Sequence, residues 1–166
     1  MKTLLISSSP HKEKSQTFLL AKEVLKECTN SVESEIIHLF NYRIEFCRHC
    51  EKCHKKILQC LIKDDVHLIL EKMLNAEGII FASPNYINQI TASMKALFDR
   101  SSHFIHRKRL LGKYIIGVVS SRSGHLYSTV SIPKQKLFPS QSGKWVQSRS
   151  LSRSPGFPFS FKYLSR

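Results

Sequence analysis

Short apolar runs alternate with amphipathic stretches over the first 120 residues of the chain. Four runs have the length and apolar content of buried β-strands: KTLLISSS, SEIIHLF, EGIIFASP and KYIIGVVSS. Three longer stretches carry apolar residues at the helical period: SQTFLLAKEVLKECTN, KDDVHLILEKMLNA and TASMKALFDRSSHFI. Ser15 is the predicted N-cap of the first helix. Asp64 or Asp65 is predicted to start the second, where a carboxylate suits the helix dipole.

Strands and helices in this order predict an α/β fold with right-handed crossovers and a parallel sheet. The expected fold class is a flavodoxin-like, doubly wound parallel sheet. Sheets of this kind bind ligands beyond the carboxyl ends of their strands, where the strand order reverses. Three loops follow strands here and are expected to converge: SSSPHKEKSQT, ASPNYINQIT and SSRSGH.

The first of these loops is rich in groups that bind anions. It carries Ser7, Ser8 and Ser9, and more hydroxyl and amide side chains follow where the helix begins. Hydroxyls and free backbone N–H groups at a helix N-terminus form an anion site. The chain has neither a G-x-G-x-x-G fingerprint nor a P-loop lysine motif. A serine-rich turn that only caps the helix is the alternative interpretation.

The second loop, SPNYINQITASMKALFDR, suits a flat ligand better than the first. Pro84 fixes the turn after an apolar strand, Asn85 and Asn88 offer amides, and Tyr86 offers a planar ring. A flat aromatic ligand needs such a wall and a few polar contacts. A plain surface turn whose tyrosine packs against the protein remains open as an alternative.

The pairing of these two loops resembles the NADPH-dependent FMN reductase superfamily, over about residues 1–125. The helix after the second loop also ends in a family-like stretch, Leu97-Phe98-Asp99-Arg100. Ser8 stands where the family usually has glycine. The resemblance implies an FMN phosphate near the first loop and the isoalloxazine ring near the second. The residues it implies for FMN are Ser9, His11, Ser15, Gln16 and Thr17 at the phosphate, and Pro84, Asn85, Tyr86, Ile87 and Gly124 at the ring.

Between the second strand and the second helix lies FCRHCEKCHKKILQC, with Cys47, Cys50, Cys53 and Cys60. Close-set cysteines in a reducing compartment indicate metal or redox chemistry more often than disulfides. Thiolates select zinc, copper(I) or iron–sulfur clusters. Three cysteines at a spacing of three, with a fourth seven residues later, favour a [4Fe–4S] cluster. A zinc site and an unmetallated thiol patch remain as alternatives.

The iron–sulfur flavoproteins, a branch of the same superfamily, resemble this chain in having a compact four-cysteine motif after the second strand. The resemblance implies one FMN and one [4Fe–4S] cluster per subunit. It also implies a homodimer or larger assembly in which the cluster of one subunit lies near the flavin of another. The expected function is electron transfer between a one-electron donor such as ferredoxin and an acceptor. No proton-transfer residue can be named.

The net charge of +14 comes from the C-terminal part of the chain. All 12 acidic residues lie in residues 1–99, together with 13 of the 26 Lys and Arg. Near residue 125 the apolar pattern decays into a basic segment rich in Ser, Arg and Pro, and Pro133 interrupts the expected helix. Two domains are therefore expected: an FMN-binding domain over residues 1–125, with the cysteine insertion at 46–61, and a tail over 126–166.

Two explanations of this tail compete. It is either a disordered basic segment or the product of a reading-frame shift near residues 122–135, and the abrupt loss of acids and of period favours the shift. Either way, a regular fifth strand is not expected. Translation of the encoding DNA in the other two frames distinguishes them.

Three functions remain open at this stage. The first is the iron–sulfur flavoprotein. The second is an FMN reductase that uses NAD(P)H directly, with zinc or nothing at the cysteines. The third is a zinc-stabilised nucleic-acid-binding protein, which the charge distribution disfavours because residues 1–99 are nearly neutral. The chain has no apolar run long enough for a membrane span, and a cytoplasmic location is expected.

Overall fold

The computed structural model describes residues 2–28, 33–56 and 58–121 of the 166-residue chain. Its elements in chain order are β1 (Thr3–Ser7), α1 (Gln16–Cys28), β2 (Ser34–His38), α2 (Lys52–Lys55), α3 (Val66–Asn75), β3 (Gly78–Pro84), α4 (Ala92–Arg100), α5 (Ser102–His106) and β4 (Tyr114–Ser120). Short 3-10 turns at Lys12–Lys14 and Leu39–Asn41 follow β1 and β2. Each predicted strand and helix is present.

The four strands form one parallel sheet in the order β2-β1-β3-β4. Chain order reverses at β1, because β2 lies on one side of it and β3 on the other. Thr3 is in register with Ser34 of β2 and with Gly78 of β3, so the carboxyl ends of these strands share one edge of the sheet. The predicted flavodoxin-like, doubly wound fold is confirmed.

Helices cover both faces of the sheet, because successive strand side chains point to opposite faces. On one face, Leu5, Ile80 and Val118 pack against α1 through Phe18 and Ala21. On the other face, apolar residues of β1, β2 and β3 pack against α3, α4 and α5: Leu4, Ile6, Ile37, Ile79, Ile69, Met73, Met94, Leu97 and Phe104. Burial of both faces explains why the strands are nearly continuous apolar runs.

The predicted third helix is two helices. The helical backbone is interrupted at Ser101 (φ −94°, ψ 4°), which lies between α4 and α5. The Ser101 hydroxyl donates to the carbonyl of Phe98 (2.9 Å), and its N–H donates to the carbonyls of Leu97 and Phe98. A serine side chain that bonds its own backbone competes with helix continuation. The bend directs α5 toward the cysteine segment.

The tail and its alternatives, the missing fifth strand, the domain boundary at residue 125 and the predicted ring contact Gly124 lie outside the described residues. Within the described part of the chain, no helix has the length and apolar character needed to cross a membrane.

Candidate functional site

The carboxyl ends of β1, β3 and β4 lie at one edge of the sheet, as the strand order predicts, and residues 122–125 of the third predicted loop lie outside the described residues. The Ser8 N–H donates to the carbonyl of Ala82 (2.9 Å), and the Asn85 N–H donates to the carbonyl of Ser120 (2.8 Å). The hydroxyls of Thr17 and Ser120 are hydrogen-bonded at 2.5 Å. These contacts join the first loop, the second loop and the end of β4 into one polar edge.

Buried hydroxyls line the first loop. Ser7, Ser9, Ser15 and Thr17 are all buried. The Ser15 hydroxyl accepts the N–H of Phe18 (3.4 Å), so Ser15 is the N-cap of α1 as predicted. The Ser7 hydroxyl is buried and has no hydrogen-bond partner within the described structure. Since an unpaired buried hydroxyl costs free energy, Ser7 is a donor that a ligand in this loop can satisfy.

The other two residues assigned to the phosphate region are on the surface. His11 and Gln16 are exposed, and the His11 N–H donates to the hydroxyl of Ser9 (3.4 Å). Lys12 lies between them with a left-handed backbone (φ 46°). The first N–H groups of α1 have no partner within the helix. Of the five residues predicted for the phosphate, three therefore have buried hydroxyls, and His11 and Gln16 form the exposed rim.

The second loop is a tight hairpin rather than an open turn. Tyr86 and Gln89 exchange backbone hydrogen bonds of 2.8 and 3.0 Å. Ile87 and Asn88 between them both have positive φ, 50° and 60°, which is the pattern of a type I′ turn. Tyr86 is 49% exposed and Ile87 is 98% exposed. Both side chains are therefore accessible to a flat ligand at this edge.

Two residues that fix this hairpin were missed by the sequence analysis. The Ser83 hydroxyl accepts the N–H of Thr91 (3.0 Å), and the Thr91 hydroxyl accepts the N–H of Met94 (3.4 Å). Thr91 is thus the N-cap of α4. The available signal was a threonine directly before the helical period. Asn85 donates its side-chain amide to the hydroxyl of Ser121 (3.3 Å), which ties the hairpin to β4.

The four loop cysteines line a single small pocket. Cys47 and Cys50 are exposed, and Cys53 and Cys60 are half-buried. Burial raises the pKa of the Cys53 thiol, and the neighbouring Cys60, Cys47 and Cys50 raise it further. Repulsion between thiolates is the condition that a bound cation or metal cluster relieves.

The donor set fits an iron–sulfur group, because four thiols from one segment face one pocket. The fit rests on the type of donor and on the shared pocket, because within residues 2–28, 33–56 and 58–121 no three Cys, His, Asp or Glu side chains are already arranged to hold a metal ion. His49 and His54 line the same pocket, so zinc remains compatible with the donor chemistry.

A buried ion pair closes the neck of the cysteine segment. Asp64 and Arg100 have side-chain exposures of 0% and 2%, and their paired atoms are 2.7 and 2.9 Å apart. Asp64 also accepts the N–H of Glu45 (2.9 Å), and Arg100 donates to the Glu45 carbonyl (2.8 Å). Glu45 and Asp64 flank the insertion on its two sides. Burial alone would raise the pKa of Asp64, but these hydrogen bonds and the Arg100 charge lower it.

The tip of the segment is attached to α5. Arg107 donates to the carbonyl of His54 at the end of α2 (2.7 Å), and the His54 ring lies 3.3 Å from the Ser102 hydroxyl. Left-handed backbones at His49, Glu51 and Leu58 turn the chain back on itself. The insertion is therefore held at its neck and at its tip.

The predicted start of α3 is confirmed, because Asp65 is at its N-cap position, but both aspartates also make contacts that the sequence did not predict. Asp65 is at the N-cap position of α3, but its carboxylate accepts the N–H of Arg43 (2.7 Å) and makes no capping bond to the helix. Asp64 accepts the N–H of Val66 (3.3 Å) and pairs with Arg100. Besides standing at the start of α3, the two aspartates therefore link it to Arg43 and Arg100. The sequence singled out Arg100 as the end of the Leu97–Arg100 stretch, but it gave no sign that Asp64 is its ion-pair partner.

Residues 1–133 match the NADPH-dependent FMN reductase family. An iron–sulfur flavoprotein from Archaeoglobus fulgidus is 42% identical over 103 residues, which are 61% of this chain and 49% of that protein. An iron–sulfur flavoprotein from Methanocaldococcus jannaschii is 35% identical over 134 residues, 78% of this chain and 68% of that protein. This chain thus spans about half to two thirds of the length of these relatives.

The fold has solved counterparts. The structure of RosB with a bound intermediate, 8-demethyl-8-formylriboflavin-5'-phosphate, matches with a TM-score of 0.56 and 17% identity, over 73% of this chain and 52% of that one. At this identity the similarity concerns the fold alone. Sequence match and fold agree, and the chain belongs to the NADPH-dependent FMN reductase family, on its iron–sulfur flavoprotein branch.

Proposed function

We propose that this protein is an FMN-dependent oxidoreductase that passes electrons between a one-electron donor and an acceptor through a [4Fe–4S] cluster and FMN. The observation that carries the proposal is the pocket lined by all four cysteines, on the same chain as the flavodoxin-like loop edge. When bound, FMN would supply one- or two-electron chemistry and the cluster one-electron chemistry. The chain's own part is to hold, orient and charge-balance both groups.

For FMN, the buried hydroxyls of Ser9, Ser15 and Thr17 and the N-terminus of α1 would take the phosphate. His11 and Gln16 are exposed and would form its rim. At the ring, Asn85 offers an anchored amide and Tyr86 an accessible aromatic face. Pro84 and Ile87 would complete the apolar border.

For the cluster, Cys47, Cys50, Cys53 and Cys60 would be the four ligands. Their exposure decreases from the first pair to the second, so the group would lie with one side toward solvent. Exposure on one side suits electron exchange with another protein. We further propose a homo-oligomer and a cytoplasmic location, where thiols stay reduced.

The donor we propose is an acidic one-electron carrier of the ferredoxin class. Lys52, Lys55 and Lys56 are exposed on and beside α2, next to the cysteine pocket. A basic patch there would attract an acidic partner and raise its association rate.

The first test is an absorption spectrum of protein purified without oxygen, before and after dithionite, with iron and FMN content. Flavin bands with a broad bleachable shoulder and about four irons per chain are expected. Cys53→Ser should lose the shoulder and keep the flavin bands. The matched control Cys28→Ser, outside the loop, should keep both. A parent protein with flavin but no iron would contradict the cluster assignment.

Direct reduction by NAD(P)H is a second candidate, supported by the family match. It predicts that NADPH alone bleaches bound flavin without a protein donor. Bleaching at the same rate in Cys53→Ser would show that the cysteine loop is not on that route. A colourless, zinc-containing protein whose DNA affinity falls steeply with salt would favour the nucleic-acid alternative instead.

A further inference from the structure

The guanidinium of Arg100 is a buried charge beside the thiol pocket. It lines that pocket with the four cysteines, although its side chain is only 2% exposed. Asp64 is not among the residues that line the pocket. The ion pair therefore presents its positive end to the cysteines and its negative end to the protein interior.

Arg100 also has a hydrogen-bond donor that neither Asp64 nor Glu45 uses. Its two terminal nitrogens donate to Asp64 and to the Glu45 carbonyl, whereas its Nε has no partner in the described part of the structure. Burial would lower the pKa of Arg100, but the Asp64 contacts and then the Cys60 thiol raise it. Cys60 thus lies within electrostatic reach of the guanidinium.

A fixed positive charge near a thiolate-ligated group favours whichever redox state is more negative. Uptake of one electron from an external one-electron reductant adds one negative charge at the cysteines, with no bond made or broken. Nearby positive charge and hydrogen bonds to sulfur stabilise that added charge and raise the reduction potential. Because the site is partly buried, water screens this interaction less than at an open surface.

We propose that Arg100, oriented by Asp64, raises the reduction potential of the iron–sulfur group on Cys47, Cys50, Cys53 and Cys60. The charge of Arg100 makes electron uptake easier, and Asp64 is the positioning residue that holds the guanidinium in place. Asp64 limits the effect by neutralising part of its charge. The inference rests on the proposed function, since it needs a cluster on these cysteines.

A purely structural role for the pair makes a different prediction. If the pair only clamps the neck of the loop, loss of either partner would loosen the same contacts and affect the cluster in the same direction. If charge matters, Arg100→Gln removes the positive charge beside the cysteines, whereas Asp64→Asn keeps that charge and removes the carboxylate that neutralises it. The two variants then shift the potential in opposite directions.

The experiment is a redox titration of the full-length protein, reconstituted with iron and sulfide, followed by electron paramagnetic resonance. Arg100→Gln should lower the midpoint potential, with about a tenfold fall in the reduced-to-oxidised ratio at a fixed potential, or about 59 mV for one electron. Asp64→Asn should raise it. Thermal unfolding of both variants, expected to show lower stability in each, separates the charge effect from the structural one.

Shifts of the same sign, or potentials equal to that of the parent, would overturn the inference. If Arg100→Gln does not fold or load, the double variant Arg100→Gln/Asp64→Asn replaces it, because paired amides remove both charges without leaving one buried. Its potential should lie below that of the parent, and an equal or higher value would count against the proposal. If neither loads, Asp64→Asn alone decides by the sign of its shift.

Failure of the proposed function gives a different result from failure of this inference. A parent protein that holds no cluster after reconstitution would contradict both the proposed function and the role of Arg100. If the parent holds a cluster and the variants have unchanged reduction potentials, only the inference about Arg100 is contradicted.

Discussion

Ile87 is a β-branched residue in a conformation that such residues rarely adopt. Its φ of 50° lies in the left-handed region, and its side chain is 98% exposed, so no packing of its own side chain compensates the strain. Strain of this kind costs about 1–3 kcal/mol and is found mainly at functional sites. The hairpin that bears Ile87 is also the loop assigned to the flavin ring.

Replacement of Ile87 by asparagine should therefore stabilise the protein. Asparagine tolerates the left-handed region and is preferred in type I′ turns, so we expect Ile87→Asn to raise the free energy of unfolding by about 1 kcal/mol. Urea unfolding followed by circular dichroism measures it. FMN affinity should fall if Ile87 contacts the ring.

The matched control is Leu61→Asn, which replaces another exposed apolar residue, 59% exposed and without a positive φ. It should leave stability nearly unchanged. An Ile87→Asn protein no more stable than the parent would show that the turn is not strained in solution.

A buried ion pair and its hydrogen bonds hold together the two ends of the cysteine segment. Arg100 is the last residue of α4, Asp64 lies two residues before α3, and Glu45 directly precedes the cysteine segment. Removal of one partner of a buried ion pair typically costs about 3–5 kcal/mol, because the other charge is left unpaired. Stability of the insertion should therefore depend on the ionisation of Asp64.

The pH dependence follows from the direction of the pKa shift. The pKa of folded Asp64 is lowered, so its stabilising effect is fully present above the ordinary value of about 3.9 and is lost as the pH falls through the folded value. The difference in unfolding free energy between parent and Asp64→Asn should be largest at neutral pH and should shrink below about pH 4. Urea unfolding at a series of pH values measures it.

Asp65→Asn is the control at the neighbouring position, where an exposed carboxylate accepts the N–H of Arg43. An asparagine oxygen can accept the same bond, so its effect on stability should be small. A constant difference between parent and Asp64→Asn across the acid range would contradict a charged Asp64 in the folded state.

At the scale of the whole molecule, charge distribution separates two surfaces. Lys52, Lys55 and Lys56 lie at the cysteine segment, which is anchored on the face of α3, α4 and α5. Lys22 and Lys26 lie on α1, which packs on the opposite face of the sheet. If an acidic electron donor binds near the cysteines, its reaction rate should depend on the lysines of the cysteine segment and not on those of α1.

Alanine at all three loop lysines should slow reduction by an acidic ferredoxin-class donor at low salt, by about tenfold. The difference should disappear at high ionic strength, since exposed charges are screened there. Stopped-flow reduction at several salt concentrations measures both effects. The double variant Lys22→Ala/Lys26→Ala should reduce like the parent, and an unchanged rate in the triple variant would rule out this docking site.

The order of strands and helices and the position of the loops at the carboxyl edge could be predicted from the sequence alone, as could the soft-metal donor type of the cysteine segment. Each depends on local information: apolar period defines strands and helices, and residue type defines soft metal ligands. Ser15 as an N-cap is local in the same way, because the capped N–H lies three residues away. The family follows from these local patterns.

Contacts between residues from distant parts of the chain could not be predicted and depend on the three-dimensional fold. Asp64 and Arg100 are 36 residues apart, and nothing local distinguishes Asp64 as an ion-pair partner from a helix-start carboxylate. The bend at Ser101 and the left-handed Ile87 also could not be predicted, because backbone breaks of this kind leave the pattern of apolar residues unchanged. Long-range pairing depends on how helices pack on the sheet, and that packing placed a buried positive charge beside four thiols.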